Sequence, residues 1–421
     1  MKAESLRALY VVFFFLQTGW ESLISLLNLR HVRVNSSRVP ETFAGLVDEG
    51  TWKRSASYTR DRGSFSLIAG LVSSAFVLFM VLSGALGRIR DLVDAPSLNP
   101  RLRGILYIAL ISLIFRLLSL PFALYSQFVI EERHGFNKMT PRLFAADLVK
   151  GLLISGVLGF PLLWVLFLFM DAAGGLWWVY AFLFTAAFQL VMTLLYPLVV
   201  APLFNTFTPL PEGSLKEKIL RLAGLLEFKT RGIFVMDGSR RSRHSNAYFT
   251  GLGAAKRIVL FDTLLSSLPE EGVAAVLAHE IGHEKKRHLH RMLGLSLALM
   301  LAAFAVLAAA RNWPPLYTAF GFSGPGDPAL LVILSFCSGP FTFFLNPLLS
   351  SFSRAHEYEA DAYAARAGCG AALGEALLTL GRDNLTNLSP HPWYSFYHYS
   401  HPTTAERLAA LRRVGTEQAA L

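Results

Sequence analysis

Seven runs of mainly apolar residues place the tightest limit on how this chain can fold. A helix needs about 20 such residues to cross a bilayer, and only helices and closed barrels satisfy their backbone polar groups there. Composition agrees, because 16% of the 421 residues are charged, against about 25% in ordinary soluble domains. The runs lie at 9–29, 65–86, 105–130, 148–169, 176–200, 293–310 and 330–352. We therefore expect a mainly α, multi-pass membrane protein with about seven transmembrane helices.

The charge pattern points to a bilayer rather than to nucleic acid. The net charge is +10, but most basic residues lie in short segments between the apolar runs, as the positive-inside rule expects. The segments after the fourth and sixth runs hold few basic residues and should lie outside. That orientation puts the longest polar region and the C-terminus in the cytosol, although the basic segment 88–103 fits it poorly. The first run has no small-residue cleavage site, so we interpret it as a retained helix.

The longest polar region, 205–288, divides the chain. We expect a transmembrane region with five spans at 1–204, followed by a small α+β domain at 205–421 that includes the last two spans. Residue spacing in the polar region predicts the following elements, in order. They are a helix at 215–226, a strand at 232–236, a Gly-rich turn at 251–253 and a strand at 257–261. Ser267-Leu268-Pro269-Glu270 has the pattern of a capping box that would start the next helix.

That next helix carries the motif His279-Glu280-Ile281-Gly282-His283. Residues four apart share one face of a helix, so His279 and His283 can bind the same metal ion. Glu280 would lie beside the metal and could take a proton from a bound water. The two cysteines, Cys337 and Cys369, have no CxxC spacing. We interpret them as buried thiols and predict neither a disulfide nor a cysteine metal site.

A catalytic zinc ion usually takes three protein ligands, and the best third ligand follows the seventh apolar run. There, Glu357 and Asp361 are four apart on a predicted helix. Glu357 can bind the metal while Asp361 accepts a hydrogen bond from a ligand histidine, which fixes the ring orientation. The alternative is that both are solvated carboxylates. We expect Glu359 to lie at the surface, and His356 is a weaker candidate ligand.

The chain resembles the type I CAAX prenyl endopeptidases, which are integral-membrane zinc metalloproteases of the gluzincin kind. The resemblance covers nearly the whole chain in matching order, so it does not depend on one motif. It rests on EERHGFN (131–137), FTPLPEG (207–213), HSNAYF (244–249), KRIVLFDTLL (256–265), HEIGH (279–283), EYEAD (357–361), YSHP (399–402) and Arg407.

The resemblance implies a catalytic zinc centre. His279, His283 and Glu357 would bind one Zn²⁺, Glu280 would be the general base, and Asp361 would hold a ligand histidine. The implied reaction is hydrolysis of a peptide bond, releasing the C-terminal tripeptide of a prenylated protein. The implied fold has seven transmembrane helices around a water-filled chamber, with the zinc near its cytosolic end.

Substrate-binding roles are also implied. Asn246 and the strand 247–249 would bind the substrate backbone, and His401 and Arg407 would bind its carbonyl or stabilise the oxyanion. A chamber would also explain Arg116 within the third apolar run. From the residues alone, Asn246 could equally be a turn residue, His401 a helix flank and Arg407 a surface charge. The other histidines considered are interpreted as structural: His244, His288, His290, His391 and His398.

Two departures from the eukaryotic members concern the membrane and the substrate. The segment from Leu265 to His279 is short where those members have a long charged insertion, and TEQAAL at the end is not a basic retrieval signal. Both favour a bacterial inner membrane over the endoplasmic reticulum, with the active site facing the cytosol. Prenylated CAAX proteins are chiefly eukaryotic, so a bacterial membrane argues against a prenylated substrate. The alternatives are a quality-control protease acting on other membrane proteins and a non-catalytic receptor or channel. The sequence predicts no particular oligomeric state.

Overall fold

The computed structural model describes residues 1–250 and 256–419. The fold is mainly helical, with one small sheet. The helices are α1 (Ala3–Val34), α2 (Glu49–Leu82), α3 (Ala85–Val93), α4 (Pro100–Tyr125), α5 (Pro141–Ala172), α6 (Trp177–Leu195), α7 (Ser214–Leu225), α8 (Asp262–Ser267), α9 (Glu270–Lys285), α10 (His288–Ala310), α11 (Pro314–Ala319), α12 (Asp327–Thr342), α13 (Asn346–Ala364), α14 (Gly370–Asp383), α15 (Pro392–His398) and α16 (Thr404–Ala419). The strands are β1 (Phe207–Pro209), β2 (Ile233–Met236), β3 (Ala247–Thr250) and β4 (Arg257–Phe261).

Seven helical stretches in the described part of the chain are long and apolar enough to cross a membrane, which confirms the predicted number. Each stretch overlaps its predicted run and most extend beyond it, and the second and the seventh need comment. The second ends at Leu82 rather than at 86, because Gly84 takes a left-handed conformation with φ 72° and starts the separate helix α3. The seventh helical stretch continues past 352 through α13 and α14, with an interruption at Gly368, whose φ is 80°. The stretches are Ala3–Ser37, Glu49–Leu82, Pro100–Glu131, Pro141–Ala172, Gly174–Leu203, His288–Ala310 and Asp327–Asp383.

The four strands form one sheet in the order β1-β2-β4-β3. Strands β2 and β4 are parallel, while β1 and β3 pair antiparallel with β2 and β4 respectively. The strands predicted at 232–236 and 257–261 are therefore present, and β3 is an edge strand. The predicted Gly-rich turn at 251–253 lies outside the described residues. Cys337 and Cys369 are both free, as expected, but they are half-buried rather than fully buried.

Helix α9 is held in place by the core that it shares with the sheet. Ile258 and Leu260 of β4 pack with Leu277 and Ile281 of α9, and all four side chains are at most 2% exposed. Burying each such side chain stabilises the fold by roughly 1.5–3 kcal/mol. Because Leu277 and Ile281 face this core, the neighbouring residues on the other side of α9 point away from the sheet.

Helix α9 begins at Glu270 rather than directly after Ser267, and Ser267 does not cap it. Ser267 is the last residue of α8, and its hydroxyl lies 3.2 Å from the Ser245 hydroxyl. The residue before the helix is Pro269, which makes no capping hydrogen bond. Glu270 forms an ion pair at 3.0 Å with Lys218 of α7 instead of reaching back to Ser267. The capping-box prediction is therefore wrong, because the short helix α8 already contains the serine.

Gly282 sets how closely α9 approaches α13. A Cβ atom added there would lie 3.0 Å from the Ala360 Cα, 3.1 Å from its carbonyl oxygen and 3.1 Å from the Tyr363 Cβ. Two of these three atoms belong to the backbone, so a side chain could fit only if one helix moved. The glycine in the middle of the H-E-x-x-H motif therefore allows the backbones of α9 and α13 to touch.

Substituting Gly282→Ala should lower stability by about 1–3 kcal/mol, the usual cost of overpacking, and should also reduce bound metal. The matched control is Gly294→Ala in α10, where nothing lies within 4 Å of the added Cβ; better helix propensity should leave that variant at least as stable as the native protein. Thermal unfolding and metal analysis of both purified variants would check this. Equal melting temperatures and metal contents would contradict the close-packing account.

Candidate metal centre

Three potential metal ligands meet where α9 faces α13. Ligand atoms of His279, His283 and Glu357 all lie within 4.8 Å of one another. The two histidine Nε2 atoms are 3.1 Å apart, and the Glu357 carboxylate oxygens lie 3.5 Å from His279 Nε2 and 3.3 Å from His283 Nε2. A tetrahedral metal with bonds of about 2.0–2.1 Å separates its ligand atoms by about 3.3 Å. The separations therefore fit one metal ion.

Burial supports the same conclusion. Glu357 is 5% exposed and Asp361 is 1% exposed, so neither is the solvated carboxylate of the alternative interpretation. The Glu357 Oε2 atom is buried without a hydrogen-bond partner among the described residues. A buried carboxylate oxygen without a partner is costly, and a cation at this point would remove that cost. The residues present thus fit a divalent metal.

The rival ligand His356 is not part of this group. It is 4% exposed, and its ring stacks on His288 at 4.1 Å with an interplanar angle of 12°. Its position one residue before Glu357 turns the ring to another face of α13. Glu357 is therefore the third ligand that the geometry favours.

Asp361 and Arg407 fix the orientation of the His279 ring on its Nδ1 side, away from the other two ligands. His279 Nδ1 lies 2.8 Å from Asp361 Oδ1, so its Nε2 is left for the metal. The Arg407 guanidinium donates to both Asp361 oxygens, at 2.6 and 2.8 Å, and its Nη1 is 3.6 Å from Glu357 Oε2. Asp361 is 1% and Arg407 9% exposed, so Arg407 is not the surface charge of the alternative interpretation. Arg407 therefore contacts both Glu357 and Asp361, the carboxylate that orients His279.

His283 has a corresponding partner that sequence reasoning missed. Its Nδ1 lies 2.9 Å from His288 Nδ1, and His288 Nε2 lies 3.1 Å from Glu359 Oε2. Arg287 has a left-handed conformation, with φ 56°, between α9 and α10, which brings His288 back towards His283. Glu359 is partly exposed, as expected, but it is also paired with Arg291 at 3.1 Å. No sequence pattern indicated this chain of contacts, because it depends on where α10 turns.

Glu280 follows the first ligand and is half-buried on α9. Burial raises the pKa of its carboxyl group above the ordinary value. A raised pKa brings a carboxylate closer to neutral pH, where it can both accept and release a proton. The position and the environment of Glu280 therefore suit a proton carrier beside the metal ligands.

The remaining predicted residues are His401, which contacts a ligand, and Asn246, which lies beside the sheet. His401 Nε2 is 3.3 Å from Glu357 Oε1, and the His401 side chain is 61% exposed, so it reaches the ligands from the open side. Asn246 lies just before the edge strand β3, where its side chain accepts a hydrogen bond from the Ala247 N–H at 2.8 Å. Its backbone carbonyl accepts another from Phe261 at 3.1 Å. The structure thus joins His401 to the centre and places Asn246 at the start of the edge strand.

A cavity of about 920 Å³ opens beside the ligands. His401 and Arg407 line it on one side, and polar side chains of α1 and α2 line the other side. The transmembrane arginine expected to face such a space is Arg116, but it does not line this cavity. Arg62 of α2 does. The site is therefore open to a cavity formed partly by the membrane helices.

The contact between His288 and His283 should hold the ring of the second ligand. We expect His288→Ala to weaken metal binding about 10–100-fold, as loss of such outer contacts does, while Glu359→Gln should cause a smaller loss. The matched control is His290→Ala, since His290 is exposed on the same helix. The measurement is the rate at which a chelator removes the metal from each purified variant. Equal rates for His288→Ala and His290→Ala would contradict this role.

Comparisons with known proteins cover nearly the whole chain. Residues 28–206 match the family described as "CAAX prenyl protease N-terminal, five membrane helices", and residues 209–414 match "Peptidase family M48". The CAAX prenyl protease 1 homolog of Oryza sativa is 38% identical over 391 residues, covering 91% of this chain and 92% of that protein. CAAX prenyl protease 1 of Saccharomyces cerevisiae is 35% identical, with 92% of each chain covered.

A solved structure gives the same answer for the fold. The crystal structure of S. mikatae Ste24p superimposes with a TM-score of 0.90 at 34% sequence identity, covering 96% of this chain and 98% of that one. Sequence and fold agree: this chain is a multi-pass membrane metalloprotease and belongs to peptidase family M48, with the CAAX prenyl protease N-terminal region.

Proposed function

We propose that the protein is a zinc endopeptidase that cleaves prenylated proteins near their C-terminus, with the zinc held by His279, His283 and Glu357. The observation that supports this most strongly is the buried group of two imidazoles and one carboxylate with an unpartnered oxygen. Two histidines and one carboxylate form the ligand set of several zinc peptidases, and they leave a position for water. The names of the relatives, CAAX prenyl proteases, support the choice of substrate.

Zinc, when bound, would polarise the scissile carbonyl and acidify a water. Glu280, beside the ligands, would accept a proton from a water at the site and pass it to the leaving amine. Asp361, held by Arg407, keeps the Nδ1 proton of His279 in place, so that Nε2 stays available to the metal. His401, on the open side, donates a hydrogen bond to the carbonyl oxygen as negative charge develops there. Arg407 acts through Asp361 and Glu357 rather than on the carbonyl.

The substrate backbone adds to the free edge of β3, next to Asn246. An extended peptide beside an edge strand gains main-chain hydrogen bonds, which give affinity without demanding one sequence. The cavity lined by His244, two residues before Asn246, and by residues of α1 and α2 is where the prenyl group and the residues after the cleavage site would lie. In this account residues 1–204 supply the membrane part and residues 205–421 supply the peptidase part with two further spans.

We further propose that the site faces the cytosol of a bacterial inner membrane. The basic segments between the apolar runs support the orientation, and the short link from Leu265 to His279 supports the bacterial assignment. Family membership removes the non-catalytic receptor or channel from the alternatives. A quality-control protease remains as the outcome in which prenylation makes no difference to cleavage.

A reporter peptide prepared with and without a farnesyl group tests this proposal. We expect about one zinc per chain, cleavage of the farnesylated reporter, and loss of cleavage on chelation that zinc restores. Glu280→Gln should keep the zinc but lower turnover about 100-fold or more, because the general base is gone. Zinc-loaded Glu280→Gln that cleaves at the native rate would refute the mechanism. Equal cleavage of both reporters would instead favour the quality-control protease.

A further inference from the structure

The cavity beside the metal centre contains an arginine that the proposed mechanism does not use. Arg62 lies on α2, is exposed to the cavity, and shares that cavity with His401 and Arg407. It lies three residues before the apolar run that starts at 65. A cation in this position, between a membrane helix and an active site, is costly unless it interacts with water or with an anion.

Most N–H donors of the Arg62 guanidinium have no hydrogen-bond partner among the described residues. Its Nη1 lies 3.3 Å from the Tyr58 hydroxyl, which in turn donates to Glu131 at 2.7 Å. Among the described residues, Arg62 has no carboxylate within ion-pair distance, whereas Arg407 is fully engaged with Asp361. An arginine has five N–H donors arranged to bind a carboxylate with two parallel hydrogen bonds.

A chain of contacts places Arg62 near one end of β3. Tyr58 bonds Glu131, and Glu131 Oε2 lies 3.3 Å from His244 Nε2. His244 also lines the cavity and comes two residues before Asn246, at the N-terminal end of β3. A peptide that pairs antiparallel with β3 has its own C-terminus at that end. Three extended residues reach about 10 Å, so the C-terminus of a short leaving peptide points towards the Arg62 part of the cavity.

We propose that Arg62, supported by Tyr58, is the subsite for the free α-carboxylate of the substrate. Arg62 thereby selects chains that end shortly after the cleavage site over longer chains and over blocked termini. The ligand class is a peptide carboxylate, and the contact is a substrate-binding one. This inference rests on the proposed function, since it requires cleavage near the C-terminus.

Two farnesylated reporters of one sequence test it, one ending in a carboxylate and the other in a carboxamide. The native protein should prefer the carboxylate in kcat/KM by about tenfold or more, mainly through KM, as a charge-assisted hydrogen bond would give. Arg62→Gln should remove the preference by weakening only the carboxylate reporter, and Arg62→Lys should restore part of it. The matched control is Arg60→Gln, on the same helix but outside the cavity lining, which should keep the full preference.

Equal cleavage of both reporters by the native protein would overturn the subsite while leaving the proposed function intact. Cleavage of neither would overturn both proposals. Arg62→Gln that slows both reporters equally, or neither, would also overturn the subsite. If Arg62→Gln does not fold, the native comparison and Arg62→Lys decide the question: a preference that Arg62→Lys leaves unchanged counts against the proposal, and a reduced one supports it.

Discussion

The contact between α9 and α13 is the interaction on which the site depends. The proposed metal ligands lie on two different helices, with more than seventy residues between His283 and Glu357, so they meet only if the helices pack at short distance. Gly282 and Ala360 provide that distance, because a Cβ at Gly282 would lie 3.0 Å from the Ala360 Cα. The far side of α9 is fixed by the sheet through Leu277 and Ile281. The small sheet thus packs on one side of α9 and fixes its position against α13.

The balance of buried charge at this site favours the binding of a cation. Glu357 and Asp361 are two buried carboxylates, and Arg407 is the buried cation that contacts them. Its two shortest bonds go to Asp361, so Glu357 keeps an oxygen without a partner. An uncompensated buried carboxylate is strongly unfavourable. A bound divalent ion supplies the missing charge, which joins metal binding to the stability of the peptidase part.

The features predicted from the sequence are those set by local spacing. Apolar length indicated seven spans, and the four-residue repeats in His279/His283 and in Glu357/Asp361 indicated which side chains share a helix face. The features missed depend on where the chain turns. The second span ends early because of the turn at Gly84. Ser267 belongs to α8 and so cannot cap α9. The turn at Arg287 places the His288 ring beside His283. Arg62 and Arg116 both lie on membrane helices, and of these two Arg62 lines the cavity and Arg116 does not. Hydropathy could not predict this, because it does not indicate which side of a helix faces a cavity.

The central claim is that His279, His283 and Glu357 hold one zinc ion between α9 and α13. Anomalous X-ray scattering at the zinc edge, from crystals of the purified protein, tests it most directly. The account predicts a single strong peak within about 2.0–2.2 Å of both histidine Nε2 atoms and the Glu357 carboxylate. A peak at other residues would contradict it. So would the absence of a zinc peak between the two helices in crystals of protein that retains full activity.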